Sequence, residues 1–308
     1  MSNNQPHKRP VIFGEVLFDR FPDGSVVLGG APFNVAWNLQ AFGQAPILIS
    51  RVGEDPLGDS IRAIMTDWSM DMSQLQSDPS HPTGTVDVSF KDGEPHYDIV
   101  ADSAYDFVET AGLADIQNAA VLYHGSLALR GDKTRQTFRT LLQQLPVRRF
   151  VDVNLRAPWW QKQPILELIN GAAWVKLNED ELNVLTESEQ AHNDADTELR
   201  QRYGLQALIV TRGSRGAELL LDNSAEDTQL EDTRLGVAPA QSTQVVDTVG
   251  AGDAFTSVIL LGLLNEWSHR TTLERAQAFA SAVVGLRGAT TRDPDFYARF
   301  AAEWGIGR

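Results

Sequence analysis

The segment Gln244–Trp267, QVVDTVGAGDAFTSVILLGLLNEW, limits what this chain can fold into more than any other. Val245-Val246 reads as a short β run, Gly250-Ala251-Gly252 as a tight turn, and Ala254–Leu264 as an almost wholly apolar, buried helix. Strand, turn and buried helix in that order are the signature of an α/β protein. Glycines let a ligand approach bare backbone N–H groups, and a helix N-terminus carries partial positive charge, so the turn suits an anion. Asp253 repels phosphate at rest, yet it could take a proton from an attacking hydroxyl. Gly250-Ala251-Gly252-Asp253 therefore reads as a phosphoryl-transfer centre. The plainer alternative is tight strand-to-helix packing with an aspartate in the first turn.

The rest of the chain keeps an α/β rhythm. A strand opens at Val11 and extends to Asp19, and a second covers Val26–Leu28. Helices are expected over Phe33–Phe42, Leu57–Trp68, Thr134–Leu145, Ile165–Asn170, Glu179–Leu185 and Thr197–Tyr203. Buried strands are expected at Pro46–Val52, Val121–His124, Arg149–Val153, Ala173–Leu177 and Ala207–Thr211. Ala217–Leu221 and a run from Val237 add two strands read as antiparallel, and 188–196 and 225–232 read as loops. This predicts a largely parallel sheet flanked by helices, with ligands beyond the carboxyl ends of its strands. Thr83–Tyr97 differs: it alternates polar and apolar about a turn at 91–94, as a half-exposed hairpin does. Paired with strands near Asp19–Leu28 it would form a small separate sheet.

Composition narrows the function. A net charge of −15 argues against a nucleic-acid or anionic-membrane surface. With no cysteine there is no thiolate metal site and no cysteine nucleophile. The six histidines show no metal-ligand spacing, and His124 reads as a packed or capping residue. Gly131-Asp132-Lys133-Thr134 departs from a P-loop, and no G-x-G-x-x-G follows a strand. No apolar run approaches the ~20 residues of a membrane span, and MSNNQPHKRP resembles no signal peptide, so a cytoplasmic location is expected.

Candidate site residues fall at strand ends. Asp19, the pair Gly29-Gly30 and Asn34 combine a carboxylate and an amide with bare backbone, which suits a polyol. Turn formation with Arg20 and helix capping are the plainer roles for Asp19 and Asn34. Arg156, after Asp152-Val153-Asn154, could hold an anionic or polyhydroxy ligand or pair with a carboxylate. Asn178 and Glu181 stand one helical turn apart and could order water around Mg²⁺, or simply favour the helix dipole. Thr211-Arg212-Gly213-Ser214-Arg215-Gly216 is a strand-ending turn suited to a nucleotide phosphate or to an ordinary hairpin.

Together these motifs resemble the ribokinase-like, or PfkB, carbohydrate kinases, the fructokinase branch most closely. Asp247–Phe255 looks like that family's C-terminal signature, Gly29–Ala36 its sugar-binding glycine motif, and Val52-Gly53-Glu54-Asp55 with Gly58 the following loop. Asn178–Glu181 resembles its N-x-x-E element and Thr211–Gly216 its nucleotide turn. The resemblance implies one kinase domain over residues 1–308, a three-layer sandwich with a small β-sheet lid near 19–28 and 83–100. It implies an ATP- and Mg²⁺-dependent kinase acting on a primary hydroxyl of a monosaccharide, fructose first, with another ketose, a sugar acid, a nucleoside or a non-catalytic sugar-binding regulator as alternatives. Asp253 would be the base, and the N–H groups of Gly250, Ala251 and Gly252 the anion hole. Asp19, Gly29, Gly30, Asn34 and Arg156 would bind sugar, and Asn178, Thr211, Gly213, Gly216 and Ser281 would bind ATP. Glu181 would serve Mg²⁺ through water. Ser281 stands where relatives often carry asparagine near the adenine. Relatives often hold a monovalent cation near Asp247 and Val249; here Arg292 replaces a small hydroxyl residue, so K⁺ dependence is expected to be weak or absent. Homodimerisation through the lid follows by the same analogy.

Overall fold

A computed structural model describes residues 8–91, 94–111, 113, 116, 118–186, 194–222, 234–239 and 245–306. The hairpin turn at 92–93 and the loop at 225–232 lie outside these residues, as does most of the loop expected at 188–196. In chain order the elements begin with β1 (Arg9–Phe13), β2 (Leu17–Arg20), β3 (Val26–Gly29), α1 (Ala31–Ala41), β4 (Ile47–Gly53) and α2 (Pro56–Asp67). Next come β5 (Leu75–Asp78), β6 (Gly84–Lys91), β7 (Glu94–Ile99), β8 (Ala119–His124), α3 (Asp132–Gln144), β9 (Arg148–Asp152), α4 (Lys162–Ile169) and β10 (Trp174–Asn178). The remainder are α5 (Glu179–Thr186), α6 (Ala195–Arg202), β11 (Ala207–Thr211), β12 (Ala217–Leu221), β13 (Arg234–Val237), α7 (Ala251–Leu264), α8 (His269–Val283) and α9 (Pro294–Trp304).

Among the described residues nine strands form one sheet in the order β13-β12-β11-β10-β9-β8-β1-β4-β5, and four form a second in the order β3-β2-β6-β7. In the large sheet β1–β4, β4–β5, β9–β10 and β10–β11 pair in parallel, whereas β12 runs antiparallel to both β11 and β13. The expected α/β architecture with a separate small sheet is therefore present.

Several boundaries depart from the sequence reading. The apolar run from Val11 to Asp19 is two strands: β1 lies in the large sheet, and after Gly14 the chain enters the small one as β2. Its pairing with β6, Leu17 opposite Gly84, is parallel. Val245-Val246 forms no strand; the two side chains are exposed, and Val246 N–H donates to the Val284 carbonyl at 2.9 Å. The last strand ends at Val237 rather than starting there, and residues 195–196 belong to α6. The strand β5 and the helices α8 and α9 were not anticipated.

Contacts divide the chain into two compact units, one of residues 1–122, 128–147 and 288–308, the other of 123–127 and 148–287. In the first, Val11, Ile12 and Phe13 are fully buried, with the Phe13 and Phe138 rings 5.0 Å apart. An aromatic cluster ties α9 to α1 and α2, with Trp37 stacked on Trp68 at 4.4 Å and Phe42 edge-on to Tyr297. In the second unit Val151, Val175, Leu177, Leu208 and Val210 form a buried core with Leu182 and Leu199 from α5 and α6. Branched side chains dominate these strands because a parallel strand covered on both faces admits little else. The apolar helix α7 packs on α8, which in turn packs on β12 and β13.

Candidate active site

In the second unit the chemistry gathers where β9, β10 and β11 end and α7 begins. Asp152 closes β9 and Lys176 sits opposite it in register on β10. Both are buried, and Lys176 Nζ lies 2.9 Å from each Asp152 carboxylate oxygen. Burial pulls the ammonium pKa down, but the charge and hydrogen bonds of Asp152 outweigh it and hold the pKa above its ordinary value, with Glu181 and Asp253 adding to the effect. The Thr256 hydroxyl, on α7, is 2.9 Å from Asp152 Oδ2 and 2.9 Å from the Gly252 carbonyl, donating to one at a time.

Above this pair α7 begins, and the Ala251 N–H makes a long bond of 3.4 Å to the Thr248 carbonyl. Gly250 is the N-cap residue in the left-handed conformation (φ 78°), and no side chain caps the helix. Gly252 is exposed, and a Cβ built there would stand 3.5 Å from Lys176 Nζ. A buried ammonium beneath a helix N-terminus is unfavourable in isolation, because both are positive. An anion over Gly252 reverses the sign of the interaction with both. Ala251 and Asp253 are half-buried, the latter in the first turn of the helix.

Asn178 and Glu181 form a reciprocal cap. Glu181 N–H donates to Asn178 Oδ1 at 2.8 Å and Asn178 N–H to Glu181 Oε2 at 2.8 Å. Glu181 Oε1 accepts the Leu155 N–H at 2.7 Å, pinning the segment after β9 to the start of α5. Burial pushes the Glu181 carboxyl up, against those backbone bonds and despite Lys176. With both oxygens already accepting N–H groups and the side chain buried, Glu181 fits a role in ordering the hydration water of Mg²⁺, not direct coordination. Among the described residues no group of acidic or histidine side chains is arranged to hold a metal directly.

The remaining expected nucleotide residues are also in this unit. Thr211, opposite Asn178 in register, ends β11. Gly213 and Gly216 follow in a turn closed by Arg212 N–H to the Gly216 carbonyl at 2.7 Å. Ser281 is different: it is buried in α8 and accepts from Gln277 Nε2 at 3.2 Å. Asp247 Oδ1 accepts the Val249 N–H at 3.0 Å. Arg156 is exposed beyond β9. His124 is fully buried, its Nδ1 2.8 Å from the Gly125 carbonyl, in keeping with a packed histidine.

In the first unit Asp19 is half-buried on β2, with its Oδ2 3.4 Å from where a Cβ of Gly29 would lie. Gly30 is the N-cap of α1 with φ 105°, and a Cβ there would meet the Glu15 carbonyl at 2.7 Å. Asn34 is buried in the first turn, and its N–H donates to the Gly30 carbonyl at 2.9 Å. No side chain caps α1, so Asn34 is not the cap. Arg20 pairs across to Asp87 at 2.7 and 2.8 Å rather than closing a turn with Asp19.

Sequence reasoning missed Lys176 and Thr256. The signal was present: a lysine inside the otherwise apolar strand Trp174–Leu177 must find a buried anion, since an unpaired charge there is too costly.

The sequence pattern of the pfkB family carbohydrate kinases matches residues 8–295. The chain is 30% identical over 304 residues to a fructokinase of Escherichia coli, covering 92% of this chain and 95% of that one. Among solved structures, fructokinase from Vibrio cholerae O395 in its fructose-, ADP- and calcium-bound form is 25% identical with a TM-score of 0.79, covering 96% of this chain and 99% of that one. Aminoimidazole riboside kinase from Salmonella enterica, complexed with aminoimidazole riboside and an ATP analogue, is 25% identical with a TM-score of 0.80, covering 95% and 99%.

Proposed function

Since this chain belongs to the pfkB family of carbohydrate kinases, and is thereby a sugar phosphotransferase, we propose that it transfers the γ-phosphoryl group of ATP to a primary hydroxyl of fructose. One observation carries the reading: an uncapped, glycine-opened helix N-terminus bearing Asp253, with the buried Lys176 ammonium beneath Gly252. Asp253 takes the proton of the sugar hydroxyl as that oxygen forms a bond to phosphorus and the bond to the ADP oxygen breaks. The N–H groups of Gly250, Ala251 and Gly252 bind the charge of the transferring group, and Lys176 deepens the positive potential there. Mg²⁺, when bound, neutralises phosphate charge, and Asn178 and Glu181 order its water.

Asp19, Gly29, Gly30, Asn34 and Arg156 bind the sugar in this account. Thr211, Gly213, Gly216 and Ser281 bind the nucleotide. The small sheet serves as a lid. Its exposed Val26, Val27, Phe90 and Tyr97 support a homodimer formed through it. Among the described residues no helix is long and apolar enough to cross a membrane, which is compatible with a cytoplasmic enzyme.

The test is an ATP-consumption screen over ketoses, aldoses, sugar acids and nucleosides, ranked by kcat/KM. Fructose is expected to rank first. A riboside is the second candidate, because a riboside kinase is as similar in structure as a fructokinase. Riboside preference would replace the substrate but keep the mechanism; binding of sugar without ATP turnover would replace the enzyme with a regulator.

A further inference from the structure

A line of alternating charges leads to the turn after β11. Asp196, buried at the start of α6, meets Arg234 of β13 through two contacts of 2.9 Å. Arg234 also reaches Glu218 of β12 at 2.6 Å, and Glu218 pairs with Arg212 at 2.7 Å. Arg212 Nε donates to Glu179 Oε1 at 3.2 Å, and Arg215 binds the other Glu179 oxygen.

The β11–β12 ladder, which runs up to Thr211 opposite Ala217, and the packing of Gly216 on the Val237 backbone anchor the base of the turn, but its tip has no such support. Residues 213–215 bury no side chain, and none caps the turn. Its internal shape comes from backbone bonds, Arg212 N–H to Gly216 and Gly216 N–H to Gly213. Beyond the pairing of Thr211 with Asn178, its side-chain attachment to the start of α5 comes from Glu179, which both arginines grip one residue from Asn178. Partly exposed ion pairs add little to stability, but a guanidinium fork fixes direction.

We infer that Glu179 is a positioning residue: with the Glu218–Arg234–Asp196 line behind it, Glu179 holds the turn through Arg212 and Arg215 in the orientation that binds the nucleotide. The inference rests on the nucleotide-binding reading of Thr211–Gly216.

The experiment measures binding of MgADP and of fructose separately by titration calorimetry, at low and high NaCl, with thermal melts as a check on folding. Glu179→Gln is expected to weaken MgADP about five- to tenfold, on the order of one interaction, and to leave fructose affinity unchanged. The gap from wild type closes at high salt, where screening loosens the same pairs in the wild type. Glu179→Asp restores part of the affinity. Gly213→Val, which forces a branched side chain onto φ 53°, tests the turn itself. If Gly213→Val weakens MgADP and Glu179→Gln does not, the inference falls and the turn's role stands. It also falls if Glu179→Gln tightens MgADP, or weakens both ligands together with a lower melting temperature. If neither variant changes MgADP binding, the nucleotide reading of the turn fails, and the inference with it.

Discussion

Lys176 and Asp152 face each other in register on adjacent parallel strands, and the ammonium touches both carboxylate oxygens at 2.9 Å. Removing one partner strands the other charge in the core, so Lys176→Met is expected to lower stability by about 3–5 kcal/mol. Replacing both, Lys176→Met with Asp152→Leu, recovers most of that loss, because a packed apolar pair avoids the desolvation cost. Turnover stays low in the double variant if the ammonium acts on the phosphoryl group. Denaturant unfolding alongside kcat separates the two roles.

Gly252 separates stability from activity. A methyl group there meets Lys176 Nζ at an ordinary 3.5 Å, and alanine suits a first helical turn better than glycine. Gly252→Ala is expected to keep or raise stability, by up to about 1 kcal/mol, while lowering kcat because the methyl occupies the space over the ammonium. Gly30→Ala, by contrast, meets a carbonyl at 2.7 Å with φ 105° and is expected to destabilise the fold. Melting temperatures and steady-state rates of the two variants check this.

Burial, reinforced by the Arg149 charge and only partly opposed by the Gly125 carbonyl, lowers the His124 pKa from 6.5 to about 3. Between those values the unfolded chain binds a proton that the folded one does not. The contribution to stability is therefore complete above pH 6.5 and falls with pH through that window, by about 1.4 kcal/mol per unit. His124→Gln, neutral throughout, lacks this component. Unfolding free energies of both proteins at pH 7.5 and pH 5.5 should differ in slope accordingly.

Arg292 is exposed in the loop before α9, where by resemblance a small hydroxyl residue is common, and its guanidinium would take the place of a monovalent cation. The rate is expected to change little when K⁺ is added to a Na⁺- and K⁺-free assay. A large increase would show that an ion is still required.

Local chemistry was readable in the sequence; long-range register was not. The Asn178–Glu181 pair and the hairpin at 83–100 depend on neighbours within a few residues, and each falls where its residues imply. The glycine turn is shorter than expected, because α7 begins at Ala251, leaving Gly250 as the N-cap and Gly252 and Asp253 in the first helical turn. The Lys176–Asp152 pair depends on which strands lie side by side, and periodicity does not carry that. The break at Gly14 was hidden because apolar residues flank it on both sides, Val11-Ile12-Phe13 in β1 and Val16-Leu17-Phe18 leading into β2, although the two strands enter different sheets. Val245-Val246 misled in the opposite sense: β-branched residues make a strand only when a partner strand accepts them. Here the nearest backbone partner is the Val284 carbonyl at the end of α8, which takes the N–H of Val246 and of Asp247.

The central claim is that Asp253 accepts the proton of the attacking hydroxyl. Asp253→Asn keeps the shape of the side chain and removes its basicity. With the best substrate from the screen, kcat should fall roughly a hundredfold or more, the scale of a general base, while calorimetric sugar affinity is retained. Full turnover in Asp253→Asn would contradict the account.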